Sequence, residues 1–401
     1  MAENNNIPMV RFAAFAHEWE KQKFDDILDK YEDPVATPHD GYERLGVRSH
    51  VKGTFHSYVA PGAELETAQM HRVAADKMLF NITFAWEHAV AITAENDAGK
   101  LVSHRFPQFS FAPEMYPKFF KYVVADEKFR YHLWLSSPGG AGRNRVLNIP
   151  EMLQYETRLP KKQEQICIAE WFENLDNLIA QHQSRLEKMQ SIKSSMLEKM
   201  FPKDGADVPE VRFKGFTDAW EQRKVDSLFE PLTERNDDLL PYSKTLSVAT
   251  MTYKEVGNGA ADSSLANYKR LRLGDIAFEG HTSKEFRYGR FVLNDTGDGI
   301  MSPRFSALRP VSELPVRFWK YYIHYEPIMK RLLVNCTKAG TMMNELVVPE
   351  FLRESLLIPS TDEQVQIGQF FTTIDNLITL HQCELEKFQN LKKALLEKMF
   401  V

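Results

Sequence analysis

Apolar residues recur at alternating steps of four and three in two long segments, a spacing typical of coiled-coil helices. A histidine and a lysine, Lys193 or Lys392, interrupt both series. At ~1.5 Å per residue, about 38 helical residues form a rod of about 57 Å. The first series contains Ile168, Phe172, Leu175, Ile179, His182, Leu186, Met189, Met196 and Met200, and the second Ile367, Phe371, Ile374, Ile378, His381, Leu385, Phe388, Leu395 and Met399.

So long an apolar seam needs a partner, and we expect the two helices to pack antiparallel, with one domain at each end of the rod. The alternative is that each helix packs only on its own domain. We interpret the two histidines as polar breaks that set the register. Ser360 and Glu363 have the spacing of a capping box at the start of the second helix, and Pro202 ends the first helix.

The helices belong to an internal repeat. Pro160–Phe201 aligns without a gap on Pro359–Phe400 and matches it at 21 of 42 positions, at an offset of 199 residues. The Pro-x-Val-Arg-Phe segments at 8–12 and 209–213 align at an offset of 201 residues. The chain therefore has two halves, in which a variable block is followed by a similar helix.

The variable blocks predict mixed α/β domains with short strands, for example at 271–278 and 288–294. The fold class is thus α+β, with two mixed α/β domains joined by two long antiparallel coiled-coil helices as a pseudo-twofold internal repeat. We predict domain 1 at 1–158, the central helix and linker at 159–206, domain 2 at 207–358 and the distal helix at 359–401. Aromatic stretches at 119–124 and 317–323 predict short core helices.

Charge and cysteine content limit the possible functions. The 401 residues include 50 basic and 55 acidic side chains, a net charge of −5, so a nucleic-acid binder would have to cluster its basic residues locally. Three cysteines without paired spacing predict neither a disulfide framework nor a zinc site, and fit a cytoplasmic protein. With no signal peptide and no apolar run of ~18 residues, we expect neither export nor a membrane span.

Catalytic motifs are missing from the sequence. It contains no phosphate-binding Gly-x-x-x-x-Gly-Lys-[Ser/Thr], no dinucleotide Gly-x-Gly-x-x-Gly and no His-Glu-x-x-His. It also lacks the Asn-Pro-Pro-aromatic motif of adenine methyltransferases and a clear nuclease acidic pair followed by lysine. The sequence therefore predicts a protein that is not itself an enzyme and binds no metal.

Basic residues beside turns are the candidates for contacts with DNA. A Gly-rich turn at 137–145 can form an anion-binding nest, and its rough equivalent lies at 338–344. For each turn the alternative is that the glycines only redirect the chain, and for each basic cluster that it is a solvated face. The predicted DNA-facing residues are Arg143, Arg145, Lys269, Arg270, Lys284, Arg287, Arg290 and Lys338.

The whole chain resembles the specificity (S) subunits of type I restriction-modification systems. The residues that carry the resemblance are Glu164-Gln165 and Glu363-Gln364, the Leu-Glu-Lys-Met helix endings, Trp220-Glu-Gln-Arg-Lys, Gly274-Asp-Ile, Gly299-Ile-Met-Ser-Pro and Lys338-Ala-Gly-Thr-Met. The first half departs from the pattern, with Ala75-Asp-Lys in place of Gly-Asp-Ile.

The resemblance implies a non-catalytic DNA-binding subunit with two target-recognition domains. Each domain would read one half of a bipartite, asymmetric double-stranded DNA site, while the helices set the spacer and dock two modification (methyltransferase) subunits. S-adenosylmethionine, ATP and Mg would be bound by those partners and by restriction (translocase/endonuclease) subunits. The alternatives are a stand-alone nuclease or methyltransferase, and a coiled-coil scaffold or DNA-binding regulator without type I partners.

Overall fold

The computed structural model describes residues 7–64, 69–139, 145–203, 205–254, 262–341 and 343–400. The chain divides into two compact units: unit 1 contains Met1–Gln181 and Glu384–Val401, and unit 2 contains His182–Cys383. Each unit thus combines one variable block with parts of both long helices.

Unit 1 begins with short strands and short helices. Its strands are β1 (Glu20–Lys23), β2 (Leu28–Tyr31), β3 (Pro34–Val35), β4 (Tyr42–Val47), β5 (Thr54–Val59), β6 (Met70–Arg72), β7 (Met78–Phe80), β8 (Val90–Ile92), β9 (Leu101–Ser103), β10 (Gln108–Phe111) and β11 (Glu156–Leu159). Its helices are α1 (Phe24–Ile27), α2 (Phe120–Val123), α3 (Glu127–Leu135), α4 (Ile149–Leu153) and the first part of α5 (Lys162–Lys199), with 3-10 turns at Ala85–Glu87, Glu95–Asp97 and Pro117–Phe119.

Unit 2 repeats this plan. Its strands are β12 (Glu221–Lys224), β13 (Phe229–Pro231), β14 (Lys269–Leu271), β15 (Ile276–Glu279), β16 (Arg290–Leu293), β17 (Gly299–Met301), β18 (Ala307–Pro310), β19 (Thr337–Lys338), β20 (Glu345–Leu346) and β21 (Ser355–Ile358). Its helices are α6 (Asp262–Leu265), α7 (Val316–Tyr322), α8 (Glu326–Cys336), α9 (Val348–Arg353) and the first part of α10 (Thr361–Met399), with 3-10 turns at Val225–Ser227 and Tyr242–Lys244.

One four-stranded sheet and one strand pair correspond strand by strand between the two units. A four-stranded sheet has the order β2-β10-β7-β8 in unit 1 and β13-β18-β15-β16 in unit 2. A strand pair, β1-β11 or β12-β21, brings together the two ends of each variable block. Unit 1 differs in a five-stranded sheet, β3-β6-β9-β4-β5, where the described part of unit 2 has the β14-β17 pair. The predicted mixed α/β domains are confirmed.

The long helices pack antiparallel in both units, as predicted. In unit 1 the early Asp176 of α5 pairs with the late Lys392 of α10, and in unit 2 the late Lys193 pairs with the early Asp375. The apolar seam is buried or half-buried along both helices. The alternative, in which each helix packs only on its own domain, is wrong because the helices contact each other directly.

Each domain core closes over the helix pair. In unit 1 Phe119 and Phe120 of the predicted aromatic helix are fully buried with Phe172 of α5 and Met399 of α10. In unit 2 the core contains Phe318, Trp319 and Tyr322 of α7 together with Phe201 after α5 and Phe371 of α10. The prediction that these aromatic residues are core residues is therefore confirmed. Their burial fixes each domain on the helices.

Candidate nucleic-acid interface

Two of the predicted basic segments of unit 2 lie side by side. The backbone N–H of Asn344 donates to the Gly280 carbonyl at 2.8 Å, and the Asn344 side chain donates to the Arg287 carbonyl at 3.2 Å. A Cβ atom on Gly280 would lie 2.0 Å from the Asn344 carbonyl oxygen, so only glycine permits this approach. The loop between β15 and β16 is thereby joined to the segment 338–346, which carries the Gly-Thr-Met sequence.

Three of the predicted basic residues project from these two segments. Lys284, Arg287 and Lys338 are exposed, and no carboxylate of the described residues pairs with them. The Arg287 guanidinium lies 5.9 Å from the ring of its neighbour Tyr288. These side chains are available to a phosphate or a base edge.

The other three basic residues predicted in unit 2 have partners inside the domain. The Lys269 ammonium is half-buried and donates to the Phe305 carbonyl at 2.7 Å, and burial lowers its pKa. Arg270 is only 7% exposed and pairs with Asp298 at 2.9 Å and Asp238 at 3.3 Å. Burying a cation is costly in free energy unless the cation is paired, and Asp238 and Asp298 supply the pairing. Because both aspartates lie in loops, Arg270 connects β14 to its neighbouring loops.

Arg290 also contacts its own domain. It lies 3.3 Å from Glu279, donates to the Ala249 carbonyl at 3.2 Å and places its guanidinium 5.1 Å from the Phe286 ring. These contacts hold the two ends of the β15–β16 loop, from which Lys284 and Arg287 project.

The Gly-Asp-Ile sequence of unit 2 has a structural role. Gly274 adopts φ +89°, which favours glycine, and the Asp275 carboxylate accepts from the Arg272 backbone at 2.7 Å and from Arg309 at 2.8 Å. Burial raises the pKa of Asp275, while hydrogen bonds from Arg272 and Arg309 lower the pKa of nearby Glu234 to about 2. The network stabilises the entry to β15.

Unit 1 has the same turn, but its residues are shifted by one position from the sequence pairing. Asp76, with φ +56°, occupies the left-handed position, and its backbone N–H bonds to the Thr93 carbonyl as that of Gly274 bonds to Asn294. Asp76-Lys77-Met78 therefore corresponds to Gly274-Asp275-Ile276, and our sequence pairing of Ala75-Asp-Lys with Gly-Asp-Ile was wrong by one residue. Aspartate tolerates the left-handed region better than alanine, which explains the shift.

The Gly-rich turn of unit 1 contains one described basic candidate. Arg145 is half-buried, donates to the Ser137 carbonyl at 3.3 Å and lies 4.8 Å above the Trp134 ring. Arg143 lies outside the described residues. The Leu147 N–H bonds to the Ile82 carbonyl at 2.9 Å, so this segment runs beside the loop after β7, as its counterpart does in unit 2.

An exposed aromatic pair beside Arg145 is absent from our sequence predictions. Tyr131 and Trp134 of α3 are 60% and 42% exposed, and their rings stack at 6.0 Å with 13° between planes. A helical i, i+3 spacing places both rings on one face, but the sequence alone does not reveal that this face is exposed.

The repeated Glu-Gln pairs hold the start of each long helix. Arg11 forms a two-pronged ion pair with Glu164 at 2.6 Å, and Arg212 forms the same pair with Glu363 at 2.6 and 2.7 Å. Glu363 is thus not a full capping residue: its backbone N–H donates to the Ser360 hydroxyl at 3.4 Å, but its carboxylate is held by Arg212.

The glutamines of these pairs join the helix to the domain. Gln165 donates to the Pro160 carbonyl at 2.8 Å and accepts from the Tyr116 backbone, also at 2.8 Å. Gln364 donates to the Pro359 carbonyl at 2.9 Å and accepts from the Trp319 indole at 3.1 Å. Four of the sequence positions that carry the family resemblance therefore act in assembly of the fold.

The lysines in the helical seam have a matching function in both units. Lys392 and the Tyr122 hydroxyl donate to Asp176, and Lys193 and the Tyr321 hydroxyl lie 2.7 Å from Asp375. Burial opposes ionisation of Asp176, but hydrogen bonds from Lys121 and Lys392 outweigh it and hold its pKa below the usual range. Each aspartate thereby ties the domain to both helices.

The three cysteines are all free. Burial raises the pKa of the Cys336 thiol to about 12, which makes it a poor nucleophile. None of the described helices combines the length and the apolarity needed to cross a bilayer.

Solved structures of S subunits are similar to this chain over nearly its whole length. The S subunit of the type I restriction-modification system from M. genitalium shares 13% identity, with a TM-score of 0.58 over 98% of this chain and 99% of that chain. The HsdS subunit from Thermoanaerobacter tengcongensis shares 14% identity, with a TM-score of 0.47 over 95% and 96%. A chain of a type I R-M system, described for its complex assembly and conformational transition, shares 13% identity, with a TM-score of 0.48 over 95% and 97%.

No protein-family model matches the sequence. The likeness to the M. genitalium chain covers both domains and both long helices in one alignment. The predicted resemblance is therefore confirmed at the level of the fold: this chain has the fold of a type I restriction-modification S subunit.

Proposed function

We propose that this chain is the DNA-binding specificity subunit of a type I restriction-modification complex, and that it is not itself catalytic. One observation carries the proposal: two domains of the same plan, on the S-subunit fold, present different loops at corresponding places. Such a duplication suits an asymmetric, bipartite DNA site in which each domain reads one half. The long helices would set the spacer between the half-sites.

The partners follow from this role. Two modification subunits would bind S-adenosylmethionine and methylate the DNA, and restriction subunits would use ATP and Mg to translocate and cleave it. This chain would bind none of these cofactors. Its net charge of −5 suits the proposal if its partners supply much of the phosphate neutralisation.

The proposed DNA contacts differ in kind. Lys284, Arg287 and Lys338 in unit 2, and Arg145 with Arg143 in unit 1, would contact phosphates or base edges. The remaining predicted residues would position the loops that carry them: Arg270 and Arg290 pair with carboxylates of their own domain, and the half-buried Lys269 ammonium donates to the Phe305 carbonyl.

Methylome sequencing tests the proposed function. In cells that express this chain with its cognate modification subunit, we expect adenine methylation at one motif made of two short half-sites around an unread spacer. Cells with the modification subunit alone are the control. A coiled-coil scaffold predicts no motif, and it also predicts equal affinity for scrambled duplexes, whereas specific reading predicts a difference of several kcal/mol.

The exposed basic residues give a second prediction. Replacing Lys284, Arg287 and Lys338 together by alanine should weaken DNA binding. The slope of log K against log salt concentration should become shallower by about 0.9 for each phosphate that the variant no longer neutralises. The control has the same change of charge at Lys214, Lys224 and Lys330, which are exposed elsewhere in unit 2. The complex with the modification subunit is titrated with duplex DNA at several salt concentrations. Equal slopes for the two triple variants would contradict the assignment of these DNA-binding residues.

A further inference from the structure

The two histidines that interrupt the apolar seam face each other in unit 2. His182 of α5 and His381 of α10 have their Nδ1 atoms 3.3 Å apart, and His182 is only 8% exposed. They are equivalent residues of the internal repeat, 199 positions apart. Because the helices run antiparallel, Lys193 faces Asp375, whereas His182 faces its own counterpart. One residue of the repeat therefore supplies both imidazoles.

The distance between these nitrogen atoms fits a metal site. A tetrahedral zinc ion with Zn–N bonds of ~2.0–2.1 Å places two ligand nitrogens roughly 3.3–3.4 Å apart. Imidazole nitrogen is a preferred ligand of Zn²⁺, Ni²⁺, Cu²⁺ and Co²⁺. Each histidine is held on a rigid helix within a packed seam, so little ordering of the ligands is required for binding.

We propose that His182 and His381 bind a divalent transition metal ion through their two Nδ1 atoms, with water completing the coordination shell. The ion would join α5 to α10 and stabilise the helix pair. This site is separate from the proposed DNA contacts and does not depend on them. Without metal the same two atoms share one N–H···N hydrogen bond, so neither Nδ1 atom lacks a partner in either state.

The full chain is titrated with Co²⁺ and then with Zn²⁺. We expect one Co²⁺ per chain with the visible absorption of tetrahedral coordination, displacement by Zn²⁺, and a higher melting temperature in Zn²⁺ that a chelator reverses. His182→Ala and His381→Ala should each weaken binding by at least about tenfold. The control is His39→Ala, because His39 is an exposed histidine of unit 1.

A fourth variant separates loss of a ligand from loss of the fold. The double substitution His182→Leu and His381→Leu extends the apolar seam, so it should fold with a melting temperature at or above that of the unmodified chain. It should show no response to Zn²⁺. The proposal is wrong if the unmodified chain binds no Co²⁺, or if the Leu/Leu variant binds it as tightly as the His39→Ala control.

Discussion

Replacing Arg212 by alanine should lower the free energy of unfolding of unit 2 by about 3–5 kcal/mol, the usual cost of removing one partner from a buried ion pair. The Glu363 side chain is fully buried, and Arg212 satisfies both of its carboxylate oxygens. Without the guanidinium, a charged carboxylate would remain in the core at the first turn of α10. Hydrogen exchange of peptides from α7 and β21 measures the loss, with peptides of unit 1 as the internal reference.

Two comparisons make this prediction specific. In unit 1 the indole of Trp19 also donates to Glu164, at 3.4 Å, so Arg11→Ala should cost less than Arg212→Ala. Lys21→Ala removes an exposed ion pair with Glu156, which water screens, and should leave the free energy of unfolding nearly unchanged. Adding Glu363→Gln to Arg212→Ala should recover part of the loss, because a neutral amide is less costly to bury. An effect of Arg212→Ala no larger than that of Lys21→Ala would show that the pair does not hold the helix.

Exchange of residues 21–158 for the corresponding domain of another S subunit should change one half of the methylated motif and leave the other half intact. Each altered base pair costs roughly 1–3 kcal/mol, so a half-site of several base pairs should lose more than about 100-fold in affinity for the old sequence. Methylome sequencing with the same modification subunit reads both halves at once.

The fold supports these exchange boundaries. Lys21 and Arg158 face each other across the β1–β11 pair, so the graft enters and leaves through a single ladder. The incoming domain must supply the hydroxyl that Tyr122 gives to Asp176. A graft without that tyrosine is the control, because it should impair assembly of the chain but should not change the DNA sequence that the domain recognises. Changes in both half-sites would contradict the assignment of one half-site to each domain.

The long helices, the repeat and the class of the domains can be predicted from the amino-acid sequence alone. The apolar residues from Ile168 to Met200 have a regular spacing that can be recognised without knowing what surrounds them in the fold. The copy at an offset of 199 residues shows that the same spacing occurs twice. Burial confirmed the seam at Phe172 and Phe371, and the aromatic stretches at 119–124 and 317–323 proved to be core. Periodicity predicts these features because it depends only on neighbouring residues along the chain.

The exposure of the polar residues, and the pairs that they form, depend on how the chain folds in three dimensions. Arg270 and Lys284 look alike as basic residues beside turns, but Arg270 is buried against Asp298, 28 positions away, while Lys284 is exposed. Arg212 and Glu363 are separated by 151 positions, and although both lie in repeated segments, the sequence does not show that they pair with each other. The energy of a charged group depends on its burial and its partners, and long-range packing sets both.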